Sequence, residues 1–347
     1  MQGEKVMSVK TIRLRNFTVF QDLTMKLSKG VNVVIGKNGT GKTHLLKAIY
    51  GACEASKEKD KLALKFIKCF KENAAFIDIF NDKSDLSADI YLSFDKYKGT
   101  EALHTNTISV YRENKIAWGG YAIYLPRDVR VEAIYIPVKD MLTHAKGLLA
   151  MSEKYQEFPF DITLTDIIRK ANQWTVKESP AIAKSILPIL ENIIDGEVVT
   201  DNDEFFIKKH DGSKVSFALE SEGRKKIGLL WRLLMNESIS ENSILLWDEP
   251  EANLNPEYLP ILVECLLALS RKNVQVIVST HNYIFAKYFD VRRKKSDKLK
   301  FHALYSDLWN KTVTCETKKS FSKLKHNEIT YIFDRLLDEV YDLDEGE

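Results

Sequence analysis

The octapeptide GKNGTGKT at 36–43 constrains this chain more than any other feature. It matches G-x-x-x-x-G-K-[ST], a loop whose glycines let the backbone curl until its N–H groups converge on phosphate oxygens. VNVVI at 31–35 precedes it as a short apolar strand, and THLLKAIYGACEA at 43–55 follows as a helix. That order sets the positive end of a helix dipole against the anion. Gly36, Lys37, Asn38, Gly39, Thr40 and Gly41 are expected to cradle the phosphates, Lys42 to reach the β- and γ-phosphates, and Thr43 to offer its hydroxyl to Mg²⁺. Glycine is otherwise scarce, 15 in 347 residues, so a cluster of three within 36–41 marks a built loop.

The remaining pattern predicts apolar strands alternating with helices, an α/β chain with a mixed, mostly parallel sheet. Strands are expected at 8–15, 76–80, 87–94, 106–111, 132–136, 243–247, 274–279, 299–305 and 312–318. Helices are expected at 139–154, 161–174, 180–194, 222–236, 256–271 and 327–340. Residues 196–219 read as two or three strands broken at His210-Asp211-Gly212, and 56–73 as an amphipathic Lys/Glu-rich helix. Neither repeats nor sustained heptads are visible. Lys plus Arg total 51 and Asp plus Glu 49, a formal charge of +2, which excludes a globally basic nucleic-acid binder but leaves a local basic groove open. Cys53, Cys69, Cys265 and Cys315 form no metal or disulfide pattern. No secretory signal and no membrane-length apolar run are visible, so the expectation is cytoplasmic.

Three further clusters carry chemistry. ILLWDEP at 244–250 ends an apolar strand with two acids: Asp248 is placed to hold Mg²⁺, and Glu249 to orient and deprotonate a water. VQVIVSTH at 274–281 puts His281 at the end of the next apolar strand, where it can sense a γ-phosphate. Ser221 is a good N-cap with Glu222 in the first turn; with Gly223 it can form a second anion site at a helix N-terminus, one that acts across a dimer.

GKNGTGKT, SEG, ILLWDEPEANLNP and STH, in this order, resemble the ABC-type ATPases of the SMC and RecF group, and RLRNFTVFQDL at 13–23 looks like that group's first strand and turn. IYIPVKDMLTHAKGLLAMSEKY at 134–155 is similar to stand-alone prokaryotic AAA family ATPases, relatives of the OLD-family nucleases and of ATPase subunits of phage-defence systems such as PARIS and Septu. The resemblance implies a P-loop NTPase fold: an ABC-type head from 1–55 and 213–318, a mainly helical insertion with strands at 56–212, and a C-terminal helix with an acidic tail at 319–347. It implies ATP and Mg²⁺ as cofactors, with Lys42 and Thr43 on phosphate and metal, Asp248 supporting the metal, Glu249 as catalytic base and His281 as switch. Arg15 and Asn16 would lie near the adenine, Ser221 and Gly223 would complete a partner's site, and Asn253 to Asn255 would form a dimer contact. The implied partners are a second copy, or a higher homo-oligomer, and a nuclease or toxin effector.

The match has departures. The signature reads SEGRKK where relatives read SGGQ, Asn255 stands where many have Asp, and no glutamine occupies the lid position, for which Lys139 is a candidate. Sixty-six residues follow His281 (347 − 281), too few for a nuclease domain. The insertion and altered signature argue against a transporter subunit. Two basic runs, Lys57 to Lys71 and Arg292 to Lys300, are either solvated faces or DNA contacts, and a slow-turnover scaffold competes with an active motor.

Overall fold

The computed structural model describes residues 8–55, 66, 68–70, 81, 87–94, 131–155, 160–306 and 312–344, with the backbone alone at 105–113 and 116–123. Its centre is a six-stranded sheet in the order β14-β13-β3-β12-β11-β7. These are Val313–Lys318, Leu299–Ser306, Val31–Gly36, Gln275–Thr280, Ile244–Asp248 and Ala133–Ile136. All neighbours run parallel except β13 and β14. Such strands are covered on both faces, which is why VNVVI and ILLW read as unbroken apolar runs rather than alternations.

The alternation is still present, as a choice between two cores. Val33, Ile35, Leu245, Trp247, Val276 and Val278 pack into one. Val34, Ile244, Leu246 and Ile277 pack into the other. The second core is closed by α1 (Lys42–Ala55) and by an antiparallel sheet, β2-β1-β4-β5-β6. Its strands are Phe20–Lys26, Val9–Phe17, Ser87–Phe94, Thr105–Glu113 and Ile116–Ile123. The first core is closed by helices α2 (Ala145–Lys154), α3 (Ile162–Ala171), α4 (Leu187–Ile194), α5 (Glu222–Met235), α6 (Leu259–Arg271) and α7 (Tyr283–Arg292). A three-stranded antiparallel sheet, β8 (Gly196–Asp201), β9 (Glu204–Lys209) and β10 (Lys214–Ser216), joins that layer. The last helix is α8 (Glu328–Asp344). Gln275 pins the two sheets together: its side chain accepts from Val9 N (2.8 Å) and donates to Val9 O (2.8 Å) and Ser28 O (2.7 Å).

Most expected elements are present, within a few residues. The pattern missed β2, β6 and α7. The segment expected as one helix at 180–194 is helical only from Leu187, with turns before it. Residues 56–212 supply strands to all three sheets as well as helices, because β4 to β6 extend the antiparallel sheet and β7 edges the central one. The expected helix at 56–73 falls largely outside the described residues, as do the expected strand at 76–80 and Lys57, Lys59, Lys61, Lys65 and Lys71. Cys53, Cys69 and Cys265 are buried and all four cysteines are free thiols.

Candidate functional site

In parallel strands every carboxyl end points to one edge of the sheet, and loops beyond that edge converge. Here β3 delivers the 36–43 loop, β11 delivers Asp248 and β12 delivers His281 just past its end. Register does the fine placement: Asp248 lies abreast of Ser279, and Thr280 abreast of Ile35.

The loop is held tightly from below. Gly41 has φ +85°, and a Cβ there would sit 2.5 Å from Val19 Cγ2 and 2.6 Å from Phe20 Cζ. The β1–β2 turn therefore presses on the loop, and only glycine fits. Lys42 is almost fully buried, and its ammonium donates to Gly36 O (2.7 Å) and Lys37 O (3.1 Å). Burial pulls its pKa below the usual lysine value, opposed by the charges of Glu249, Asp248 and Glu251. A desolvated ammonium with carboxylates nearby is stabilised further by an added polyanion.

Asp248 is 1% exposed. One carboxylate oxygen accepts from Thr43 Oγ1 (2.7 Å) and Tyr135 OH (3.2 Å); the other accepts from Ser279 Oγ. This all-oxygen donor set fits a hard divalent cation such as Mg²⁺. Among the described residues no group of three or more His, Cys, Asp or Glu could hold a metal alone. Thr43 and Asp248 are thus a partial set of the kind that phosphate oxygens complete. Burial, then Asp248, drives the Tyr135 phenol well above its usual pKa, so it stays a donor to that carboxylate.

Glu249 departs from the strand with φ +47°, left-handed backbone that a glutamate adopts only when its surroundings hold it. Its N–H donates to Ser279 O (3.1 Å) and Ser279 Oγ (3.2 Å), and its carbonyl accepts from Lys226 Nζ (3.0 Å). Its carboxylate meets His281 Nδ1 at 3.0 Å. With Thr43, Asp248, Glu249 and His281 at one edge, the arrangement can bind a phosphate chain, hold a cation and take a proton from water.

Ser221 and Gly223 are placed differently. Ser221 N-caps α5, its hydroxyl accepting from Arg224 N (3.4 Å). A Cβ on Gly223 would meet Asn253 O at 3.0 Å and Leu254 Cδ1 at 3.2 Å, so the start of α5 lies directly on the 251–255 turn. Asn253 is left-handed (φ +62°), and Asn255 caps the next turn, accepting from Glu257 N (3.2 Å). Arg15 is exposed on β1, whereas Asn16 is buried and donates to Ser87 O (2.8 Å). Lys139 is exposed beyond β7. Its neighbour Asp140 meets Lys225 of α5 at 3.8 Å. Of the basic run, Arg293 and Lys300 donate to backbone carbonyls, of Lys319 and of Lys26 and Leu27, while Arg292, Lys294, Lys295 and Lys298 are exposed.

Four features escaped the sequence. Tyr135 and Ser279 look like ordinary strand residues, and only pairing brings them to Asp248. Glu251 is buried beside Glu249, accepting from Thr280 Oγ1. The C-terminal helix leans on the loop: Glu328 pairs with Lys37 (2.7 Å) and Phe333 stacks on Tyr283 (centroids 4.1 Å apart), bounding with His281 a cleft of about 730 Å³.

The model of the AAA ATPase domain family matches residues 7–212, more than half of the chain. The chain belongs to the AAA ATPase domain family. A second AAA domain model, whose description names the AbiEii toxin of a type IV toxin–antitoxin system, matches 141–286. The DNA replication and repair protein RecF of Clostridium botulinum (strain Eklund 17B) is 31% identical over 127 residues, 36% of this chain and 34% of its own length. RecF of Clostridium tetani is 30% identical over the same length. The chain thus spans about a third of these curated relatives. An Smc head domain with coiled coil and joint derived from Pyrococcus yayanosii aligns with a TM-score of 0.59 at 11% identity, covering 95% of this chain and 99% of that one. An SmcHead bound to the C-winged helix domain of ScpA gives 0.57 at 14%, covering 90% and 98%. This AAA ATPase domain chain has the fold of the Smc head domains, with mixed parallel and antiparallel sheets. Among its described residues no helix is long and apolar enough to cross a membrane.

Proposed function

We propose that this chain is an ATP-driven clamp: two copies close around ATP, hydrolyse it, and reopen, and the cycle regulates a partner effector of nuclease or toxin type in anti-phage defence in the cytoplasm. The observation that carries the hydrolytic reading is the held, left-handed Glu249, its carboxylate on His281 beside the Thr43–Asp248 pair. The 36–43 loop and Lys42 bind the phosphates, and Thr43 with Asp248 hold Mg²⁺. The cation, when bound, neutralises charge on the β- and γ-phosphates. Glu249 takes one proton from a water, whose oxygen bonds to the γ-phosphorus as the bond to the bridging oxygen breaks and ADP leaves. His281 contacts the γ-phosphate and so distinguishes ATP from ADP. Ser221 and Gly223, set against the 251–255 turn, reach the partner's nucleotide, and Asn253 to Asn255 meet the partner. Arg15 and Asn16 lie toward the adenine, and Lys139 serves as the lid residue.

The test is size-exclusion chromatography with light scattering, with and without ATP and Mg²⁺. Wild-type protein is expected to cycle, and Glu249→Gln to accumulate as an ATP-bound dimer. Monomeric Glu249→Gln at saturating ATP would sink the clamp. A second reading, a DNA repair ATPase of RecF type, is favoured by the RecF match. DNA-stimulated turnover that weakens with salt and with neutralisation of Arg292, Lys294 and Lys295 would select it; protection from phage in cells, lost in Lys42→Ala, would select the first.

A further inference from the structure

Two charged side chains near the site have no part in that scheme. Lys226, on α5, is 5% exposed, and Glu251 is 6% exposed. Burying an ammonium or a carboxylate costs several kcal/mol unless the environment compensates. Lys226 is compensated by one hydrogen bond, to Glu249 O (3.0 Å), and by a field of acids of which Glu251 is the strongest, ahead of Glu249. Glu251 accepts from Thr280 Oγ1 on one oxygen, while the other, Oε2, is buried without a hydrogen-bond partner. Thr280 Oγ1 also accepts from Asn282 N (2.9 Å), so Glu251 is tied to the segment that carries His281.

The geometry points to a role for Lys226. We propose that Lys226 is a positioning residue for Glu249, gripping the carbonyl of its left-handed backbone so that the carboxylate stays aimed. The same carbonyl also accepts from Ala252 N (3.1 Å) inside the turn, so Lys226 is the donor that ties it to another element of the fold. Without that tie the oxygen is held by the turn's own backbone alone, and the left-handed φ of +47° and the carboxylate it aims shift with the turn. The helix that carries Lys226 begins at the Ser221 cap and rests through Gly223 on the 251–255 turn.

This inference rests on Glu249 as the base and on ATP hydrolysis. Its test compares Lys226→Met, Lys226→Arg and the double variant Lys226→Met/Glu251→Gln with wild type and Glu249→Gln. Nucleotide affinity by calorimetry and kcat are measured. The double variant removes both buried ionisable groups and should fold as wild type does, yet it lacks the side-chain donor to Glu249 O and keeps only Ala252 N. Its nucleotide affinity is expected within about twofold of wild type and its kcat down about 10²-fold, the usual cost of a catalytic group misplaced by an ångström. Lys226→Arg keeps a donor and should recover most of the rate. A folded double variant with wild-type kcat would overturn the proposal, because Lys226 would then serve charge balance alone. Full turnover in Glu249→Gln would overturn the base assignment instead, before Lys226 is reached.

Discussion

The two halves of the site are held by different means. The binding half, Lys42, Thr43 and Asp248, sits at or just beyond strand ends, and its geometry is inherited from a parallel sheet whose register is set by buried side chains on both faces. The half proposed to hydrolyse, Glu249, Glu251 and the 251–255 turn, begins where β11 ends. It is held by a few backbone bonds, from Glu249 N to Ser279 O, Ala252 N to Glu249 O and Leu254 N to Glu251 O, and by single side chains: Lys226, Thr280 and Ser279. A sheet edge is rigid because displacing it would uncover core, whereas a turn tied by a few hydrogen bonds can change state at lower cost. In the proposed scheme the rigid half recognises a constant phosphate chain and the adjustable half carries the hydrolytic step.

That contrast can be attacked directly. The largest effect is expected from Glu249→Gln. Turnover should fall by about 10²–10⁴-fold, the range for a general base, with nucleotide affinity retained; single-turnover hydrolysis measures it, and an unchanged rate breaks the contrast. Lys42→Ala should instead lower nucleotide affinity by about 2–5 kcal/mol, because a buried charged partner of the phosphates is removed. Calorimetry with ADP and ATP checks it, and equal affinity would refute the binding role.

The rigidity of the binding half has its own test in acid. His302 on β13 is buried between Asn32 of β3 (3.1 Å) and Thr317 of β14 (2.9 Å), and burial pushes its pKa down to about 3. Unfolded, it titrates near its ordinary 6.5. Between those values the unfolded chain binds the extra proton, so the contribution is complete above pH 6.5 and is lost as pH falls toward 3. The loss should be on the order of a few kcal/mol. Denaturant melts from pH 7 to 4 read it, and His302→Asn should flatten the slope. The smallest effect is expected from Tyr135→Phe. Losing one hydrogen bond to Asp248 should weaken Mg²⁺-dependent nucleotide binding by ~1 kcal/mol, read as a rightward shift in the Mg²⁺ titration.

The binding half was the more legible because its signals are local. Glycines, a lysine and a threonine at fixed spacing after an apolar run mark a candidate phosphate loop within a few residues of chain, and the acids after ILLW stand out against an apolar strand. The antiparallel strands β2 and β6 were less legible. Their alternation is diluted by turn residues and glycines, and their partners lie far along the chain. The short helix α7 shows hardly any amphipathic signal. Lys226 appears in the sequence only as the last letter of SEGRKK, and Glu251 only as one letter of ILLWDEPEANLNP. Nothing within a few residues of either shows that a fold would bury both.

By itself, then, the amino-acid sequence determined which residues stand at the ends of β3 and β11, because spacing along one strand, loop and helix is a local property. Only the tertiary structure decided what stands opposite: Ser279 and Tyr135 on Asp248, Lys226 on the carbonyl of Glu249, and the C-terminal helix against Lys37. These contacts join residues tens to hundreds of positions apart. They exist because a buried polar group must find a partner wherever the packed layers bring one within reach.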